Sequence, residues 1–448
     1  MSYLRVASYA LSIAGMSSAT AQFGVPKPPP ELPQRPVVPM KELLITDPAV
    51  VDSGRTVYPG VFSIGHLFDE MAGQNGDGRE LMRDWLECWN EPYEVNGDRV
   101  GARPKMRALV VAPWQEADGW DEKSGERWFP DFKNAPFRLL AVVNRLDLGN
   151  LAPIYYGGTS GAEGRLVFGV IDREGKPLEH HFTVIFEYKM IGAPGQDKQM
   201  LARQWHALGE RVDFDEAYLA DLEALTRQFT DRRRSEDGKK ELGSDIAQVR
   251  TNEMALAPTC EMREFRFKAE TVSLNPGSLA QTPRMAFAKR GSELHVQLVK
   301  FLRENQDGVI AGSTDLPEQI EREGHKSLPL LAGSCTVPDR DFYWETGGVR
   351  TRELRRVFSR RTCNGCHARD TDTDFCHIRP RLAGEASTLS KFLSLSSGGY
   401  TVEDPGEFFE EIQLNEMHSR VQDLLRSVHG GQIGTAVLLR MVKASLEE

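Results

Sequence analysis

The sequence predicts an α+β large domain with antiparallel strands, followed by a small all-α domain. Three apolar runs between residues 137 and 190 are separated by Gly-rich and charged turns, a pattern typical of neighbouring antiparallel strands. Helical and strand-like segments mix without a regular βαβ rhythm, which favours α+β over a doubly wound sheet. After Val349 the segments become short and helical.

The length and charge of the chain limit its class. Its 448 residues are too many for one ordinary core, so we place a large domain of unknown role at residues 46–340 and a second domain at residues 341–448. The net charge of −10 argues against a general nucleic-acid binder, because phosphate binding needs a basic face.

The N-terminus has the layout of a secretory signal peptide at residues 1–21. Arg5 precedes an apolar run from Val6 to Met16, and small residues end at Ala21, where we expect cleavage. An ordinary N-terminal helix or tail is the alternative. Residues 22–45 are rich in proline and predict an extended linker. No later run of 18 apolar residues follows, so we expect an exported protein, periplasmic or secreted, that does not span the membrane after cleavage.

The elements of the large domain follow from hydrophobic periodicity. Strands are expected for "FRLLAVVNRLD", "GRLVFGVID" and "HFTVIFEYKM", and a half-exposed strand for "EMREFRFKAETVSL". Helices are expected for "RELMRDWLECW", "DEAYLADLEALTRQFT" and "SELHVQLVKFLREN". Their expected buried faces include Leu81, Trp85, Leu86 and Trp89 in the first helix and Leu219, Leu222, Leu225 and Phe229 in the second.

No standard catalytic signature occurs in the large domain, so its catalytic residues stay unknown. Polar residues at predicted strand ends are the candidates, because function often lies there. They are Asn144, Arg145, Asp147, His180, His181 and Glu187. Turns, caps and salt bridges use the same residue types, so each has a structural explanation as well.

The segment "RRTCNGCHARD" carries the strongest motif, Cys-x-x-Cys-His, formed by Cys363, Cys366 and His367. Two thiols three positions apart can each bond one vinyl-derived carbon of the same porphyrin, and the following histidine can ligate the iron. The motif therefore predicts one covalent haem c. Zinc or a redox dithiol are the alternatives.

The C-terminal segment resembles the bacterial c-type cytochrome domain. The resemblance depends on the attachment motif, on a preceding amphipathic helix with Leu354 and Phe358, and on the element Pro380–Gly384 that follows. It covers roughly the last hundred residues and implies a cytochrome c-like haem domain with electron transfer through the haem. It also implies a helix at "STLSKFLSL" and a second axial ligand near the C-terminus.

Met417 and His377 are the two candidates for the distal iron ligand. Met417 lies in the range that the resemblance implies, but its surroundings are helical. His377 follows His367 by ten residues, and a chain of that length can reach around the edge of a haem. His418 and His429 are further options, and an open sixth position would indicate catalysis.

The other cysteines allow competing explanations. Cys363, Cys366 and Cys376 with His367 or His377 have plausible spacing for a Cys3His zinc site. In an oxidising compartment free thiols seldom persist, so the four cysteines outside the motif can form two disulfides in three connectivities. These four are Cys88, Cys260, Cys335 and Cys376.

Arginines cluster around the motif in a chain of negative net charge. They could pair with haem propionates or dock an acidic redox partner protein. They are Arg350, Arg352, Arg355, Arg356, Arg360, Arg361 and Arg369. Three hypotheses result: an exported haem electron carrier, a haem-dependent oxidoreductase whose large domain binds substrate, and a non-redox exported binding protein with a zinc or disulfide site.

Overall fold

The computed structural model describes residues 35–74, 76–150, 162–190, 198–234, 241–257, 259–322, 325–346, 352–396, 398–406 and 410–447. The expected signal peptide and the first part of the proline-rich linker lie outside these residues. Gln34–Glu448 form one compact unit. No helix in the described ranges is both long and apolar enough to cross a membrane.

Helices and strands are interspersed along the described chain without a regular alternation. The helices are α1 Pro39–Glu42, α2 Pro48–Val51, α3 Ile64–Ala72, α4 Gly78–Glu87, α5 Ala112–Ala117, α6 Lys198–Ala207, α7 Glu216–Thr230, α8 Glu293–Glu304, α9 Gln306–Ala311, α10 Arg352–Arg361, α11 Cys363–Cys366, α12 Glu416–Val428 and α13 Thr435–Glu447. The strands are β1 Leu44–Ile45, β2 Tyr93–Val95, β3 Asp98–Val100, β4 Phe137–Arg145, β5 Glu163–Val170, β6 Phe182–Lys189, β7 Arg233–Arg234, β8 Glu241–Gly243, β9 Ile246–Glu253, β10 Cys260–Lys268, β11 Ser273–Gly277, β12 Gln319–Arg322, β13 His325–Pro329, β14 Cys335–Val337, β15 Tyr400–Glu403 and β16 Glu411–Leu414.

One antiparallel sheet organises the fold. Its order is β1-β4-β5-β6-β9-β10-β11, and β14 pairs with the start of β10. The three apolar runs of the sequence are β4, β5 and β6, which are hydrogen-bonded neighbours. A mixed fold built on antiparallel strands is therefore confirmed.

The apolar face of the sheet packs against helices. Phe186 of β6 meets Phe68 of α3 edge to face at 5.9 Å between ring centroids, and Phe265 of β10 meets Trp85 of α4 at 5.7 Å. The ring centroids of Phe229 of α7 and Tyr188 of β6 lie 5.7 Å apart. Aromatic pairs at these separations stabilise a core beyond the area that they bury. The expected buried faces of α4 and α7 are thus confirmed.

The opposite face of the sheet is charged and covered. We name it the charged face; it carries Arg165, Glu187, Arg250 and Glu264 on four successive strands. Arg165 and Glu187 are joined at 3.3 Å, Arg250 and Glu187 at 3.3 Å, and Arg250 and Glu264 at 3.0 Å. The expectation that β10 is half-exposed is wrong, because its residues from Glu261 to Phe265 are all buried, and Glu264 on the charged face is fully buried.

The C-terminal part of the chain, from residue 352 to residue 447, covers this face, and we name it the covering segment. Its expected all-α character is not confirmed. β15 and β16 form an antiparallel hairpin there, and "STLSKFLSL" contains only a single turn of 3-10 helix at Lys391–Leu393. Met417 of α12 belongs to the same hydrophobic core as Leu166 of the sheet. The apolar side chains of this segment therefore pack against the large domain, and the boundary expected near residue 340 does not separate two cores.

Arg381 anchors the covering segment on the sheet. Its side chain is 1% exposed and forms a two-point ion pair with Asp52, at 2.7 and 2.8 Å. The same guanidinium donates to the carbonyl oxygens of Val51 and Leu139 at 3.0 and 2.9 Å. Gly384 N also donates to Asp52, at 2.7 Å. The element Pro380–Gly384 is therefore a docking point between distant parts of the chain.

The linker ends earlier than residue 45. Val37 is fully buried, and its backbone N–H donates to Ser445 Oγ at 2.8 Å. Leu44 pairs with Val143 at the edge of the sheet. The proline-rich composition does not show where the linker ends, because the residues that join the core and the sheet follow the prolines without a break in the sequence.

Candidate functional site

A tight turn presents the Cys-x-x-Cys-His motif to the charged face. Thr362 caps the short helix α11, and its Oγ1 accepts a hydrogen bond from Gly365 N at 3.0 Å. A Cβ at Gly365 would collide with the Ser359 carbonyl, so this position accepts only glycine. Asn364 is fully buried, and its Oδ1 accepts from Trp344 Nε1 at 2.8 Å. The two residues between the cysteines therefore fix the turn and leave the cysteines to face inward.

His367 has the arrangement of a metal-ligating histidine. Its Nδ1 is hydrogen-bonded to the Phe375 carbonyl, and its Nε2 has no hydrogen-bond partner among the described residues. Ligating histidines commonly donate their second ring N–H to a carbonyl in this way. Burial lowers the pKa of His367 to about 4. The imidazole is therefore neutral at neutral pH, as a metal ligand must be.

His377 lies beside His367 with a similar arrangement. The two ring centroids are 4.4 Å apart. His377 Nδ1 is 2.9 Å from Ser390 Oγ, and Nε2 is 3.5 Å from the Cys366 sulfur. Burial, followed by the neighbouring His367, lowers the pKa of His377 well below its usual value. Two neutral imidazoles with their Nδ1 atoms engaged thus meet at one place.

The ring separation tests whether a metal fits between the two imidazoles. Imidazoles on opposite sides of one ion need roughly 6 Å between centroids, given metal–nitrogen bonds of about 2 Å. His367 and His377 are closer, so ligation of one ion requires the rings to move apart. The nitrogen donors suit a metal ion, whereas the present ring separation does not suit ligation from opposite sides of one ion.

An inner cavity of about 150 Å³ joins these groups to the charged face. Its walls include Cys363, Cys366, His367 and His377 from the covering segment. All four lie deep in the protein, yet each keeps accessible surface because it faces this cavity. The structure therefore brings the three motif residues and one of the two distal candidates together.

An outer cleft of about 990 Å³ adjoins the inner cavity. The two spaces share Arg145, Arg360, Arg361, Phe392 and Arg420 as lining residues. The volume of the cleft is at the upper end of the range of about 300–1,000 Å³ that small-molecule sites occupy. The inner cavity alone is too small for a macrocycle, so a bound porphyrin would have to use the adjoining space.

Met417 is not brought to this site. It is fully buried in the hydrophobic core on α12 and does not line the inner cavity. The apolar spacing of α12 explains this, because Met417 lies one turn before Val421 on the buried face. Among the two distal candidates, His377 is therefore the residue that the fold places next to His367.

The zinc set is not assembled. No group of three or more His, Cys, Asp or Glu side chains with metal-binding geometry occurs among the described residues. Cys376 lies 4.0 Å from the Met254 sulfur and in the same hydrophobic cluster as Cys363. The described cysteines and histidines of the Cys3His interpretation therefore do not form a metal-binding group, although two of the cysteines lie in one cluster.

Cys363 has a thiol neighbour. A hydrogen bond with Cys335 of β14, and then the Arg250 guanidinium, lower the pKa of Cys363 to about 7. Burial raises the pKa of Cys366 to about 12. Cys260 and Cys376 share a hydrophobic cluster with this pair. All six cysteines are free thiols in the structure, and Cys88 lies apart at the end of α4.

The large-domain candidates divide into two groups. Arg145 and Glu187 line the inner cavity, and Asp147 forms a two-point ion pair with Arg145 at 2.8 to 3.1 Å. Asn144 is structural, because its side chain donates to the Glu42 carbonyl and accepts from Leu146 N. His180 and His181 do not line the cavity.

Sequence reasoning missed several residues of the site, among them Arg165, Arg250 and Arg420. Arg165 and Arg250 alternate with apolar neighbours on β5 and β9, which looks like ordinary exposure on a half-covered strand. They could have been recognised by the arginines and glutamates that lie opposite each other on neighbouring strands, Arg165 with Glu187 and Arg250 with Glu264. Such pairing becomes meaningful only when the strand order is known.

Most arginines around the motif are neutralised by carboxylates. Arg355 pairs with Asp370 and Asp404 at 2.8 and 2.6 Å, and Arg369 pairs with two carboxylates at 2.8 and 2.9 Å. Among the described residues the cluster shows no broad unpaired basic surface for an acidic partner, and that partner stays a prediction; Arg350 lies outside the described residues. Arg360 and Arg361 line both the cavity and the cleft.

Comparison with known proteins adds no relative. No family model matches the sequence, and no similar curated protein or solved structure was found. The function is therefore argued from the geometry of the cavity and from the Cys-x-x-Cys-His spacing.

Proposed function

We propose that the chain is an exported, mono-haem c-type cytochrome-like protein that transfers electrons. Cys363 and Cys366 would hold the haem covalently, and His367 and His377 would ligate its iron, which requires the two rings to move apart. Bound haem supplies a reversible one-electron couple at the iron. The signal-peptide layout of residues 1–21 supports export.

One observation carries the proposal. Two neutral imidazoles, each held through Nδ1, face the same cavity as both cysteines of the motif. The contacts that the two Nδ1 atoms make with the Phe375 carbonyl and the Ser390 hydroxyl suit ligation through Nε2. Iron with two protein ligands has no open position, so this arrangement favours electron carriage over substrate oxidation.

The test is the haem content of the full chain, produced with its signal peptide in a host that matures c-type cytochromes. A reduced pyridine haemochrome spectrum of the denatured protein should show one covalent haem per chain. Replacing Cys363 and Cys366 by serine should abolish it, and the Cys88→Ser variant is the matched control that should retain it. Absence of covalent haem from the wild type would overturn the proposal.

A further inference from the structure

The outer cleft carries an excess of positive charge among its lining residues. Among its described lining residues, six lysines and arginines face three carboxylates. The basic residues are Arg145, Lys198, Arg360, Arg361, Arg420 and Arg426, and the acidic residues are Asp147, Glu416 and Asp423. An excess of this kind inside a concave space attracts anions.

Arg420 is the least satisfied of these cations. It is 4% exposed, and only its Nε is engaged, at 2.9 Å from Glu416 Oε1. Its two terminal nitrogens have no hydrogen-bond partner among the described residues, and the residue lines both spaces. A guanidinium has five N–H donors, and buried donors without partners are costly. Arg420 is thus a buried, charged side chain aimed at an open space.

Arg145 adds a second positive charge close to Arg420. Glu416 Oε1 lies 3.7 Å from Arg145 Nη2, so one carboxylate serves two guanidinium groups. Burial, followed by the charge of Arg145, lowers the pKa of Arg420. A second anion between the two guanidinium groups would reduce the repulsion between Arg145 and Arg420 and would accept hydrogen bonds from the terminal nitrogens of Arg420. Arginine pairs suit planar or multi-oxygen anions because they donate in forks.

We propose that the inner end of the outer cleft is a binding site for a doubly charged oxyanion, either paired carboxylates or a sulfate-like group, held by Arg145 and Arg420. Two sources have this chemistry: the two propionates of a haem, or a free small dianion. The propionate source rests on the proposed function, whereas the anion site itself does not.

Calorimetric titration of the haem-free full chain with succinate and with sulfate tests the site. We expect saturable binding of one anion per chain. Arg420→Gln should weaken it roughly 10- to 100-fold, the range for loss of a charged hydrogen-bonded contact. Arg426→Gln, at the half-exposed rim, should weaken it less. Arg440→Gln, exposed on α13 and outside the cleft, is the control that should bind normally.

Three outcomes are distinguishable. Succinate binding to both the haem-free and the haem-loaded chain identifies a free dianion site. Binding only to the haem-free chain, displaced by added haemin and not by its dimethyl ester, identifies the propionate site. No saturable binding to the wild type, or equal binding by a folded Arg420→Gln variant, overturns the inference. Failure of covalent haem attachment leaves the first titration unaffected.

Discussion

Replacing Arg381 with methionine tests whether the covering segment is anchored on the sheet. The substitution keeps most of the aliphatic volume and removes a guanidinium that is 1% exposed. It leaves the Asp52 carboxylate without its two-point partner, and it leaves the Val51 and Leu139 carbonyls without their donor. Removing one partner of a buried ion pair costs about 3–5 kcal/mol, because the other charge stays buried and unpaired.

Asp52 sets the magnitude within that range. Its side chain is 27% exposed, so water can partly replace the lost partner. We therefore expect a loss of about 3 kcal/mol in the free energy of unfolding. With a denaturant slope of about 3 kcal/mol/M for a large chain, the urea midpoint should fall by roughly 1 M.

The matched control is Arg379→Met, two residues earlier in the same segment. Arg379 is 42% exposed and makes one ion pair, with Asp374 at 2.9 Å. Exposed pairs contribute about 0–1 kcal/mol, so this midpoint should barely move. Urea unfolding followed by circular dichroism compares the two variants, and limited proteolysis near residue 380 reports release of the segment. Equal midpoints for both variants would refute the anchoring role of Arg381.

Three further predictions concern the ligands, the packing and the pH dependence. In the haem-loaded protein, His377→Ala should convert the absorption spectrum from low-spin to high-spin, whereas Met417→Ala should leave the spectrum unchanged and cost about 2–4 kcal/mol of stability as a core truncation. Gly164→Ala should lower the free energy of unfolding by about 1–3 kcal/mol, because its Cβ would lie 2.5 Å from a ring carbon of α7; Gly54→Ala, with nothing within 4 Å, is the control in thermal unfolding. Burial and the neighbouring Asp147 carboxylate raise the pKa of Asp423 to about 6, although the charges of Arg426 and Lys198 act in the opposite direction, so Asp423 loses its negative charge below that pH. Sulfate should therefore bind more tightly as the pH falls through about 6. Asp423→Asn should abolish this pH dependence in calorimetric titrations.

The strands of the sheet could be predicted because their apolar runs are local signals. β4, β5 and β6 lie where the sequence places them, and β5 pairs with β6 in one continuous register from Glu163 to Gly169. The faces of α4 and α7 were equally readable, since helical spacing alone puts Leu81 and Leu222 on buried sides. Each of these inferences needs information from fewer than twenty residues.

The charged face could not be predicted because its cover is remote in sequence. Arg250 and Glu264 have the spacing of an exposed strand face, but segments remote in sequence, among them the docked C-terminal segment, lie against this face. The same segment misled the helix prediction at "STLSKFLSL": Ser387 and Ser390 there bond the Leu140 carbonyl and His377, which holds the chain extended. Propensity gives way where tertiary contacts engage the backbone and short polar side chains.

The candidate site was half visible in the sequence. Cys363, Cys366 and His367 follow from spacing alone, and the sequence also indicates both distal candidates. The choice between them required the fold, because Met417 and His377 are equally plausible until α12 is seen to turn the methionine into the core. The role of Arg420 could not be predicted from the sequence, because it depends on Arg420 sharing Glu416 with Arg145 in the folded chain.

The anchor at Arg381 has a consequence for the order in which the molecule is assembled. Its contacts with Asp52 and Leu139 join residues 329 and 242 positions apart in the chain. All strands of the main sheet precede Cys363 in sequence, so during synthesis the platform is complete before the cysteine turn emerges. The thiols of Cys363 and Cys366 are then more accessible between emergence and docking than in the folded protein, so we expect an enzyme that modifies them to act most readily in that interval.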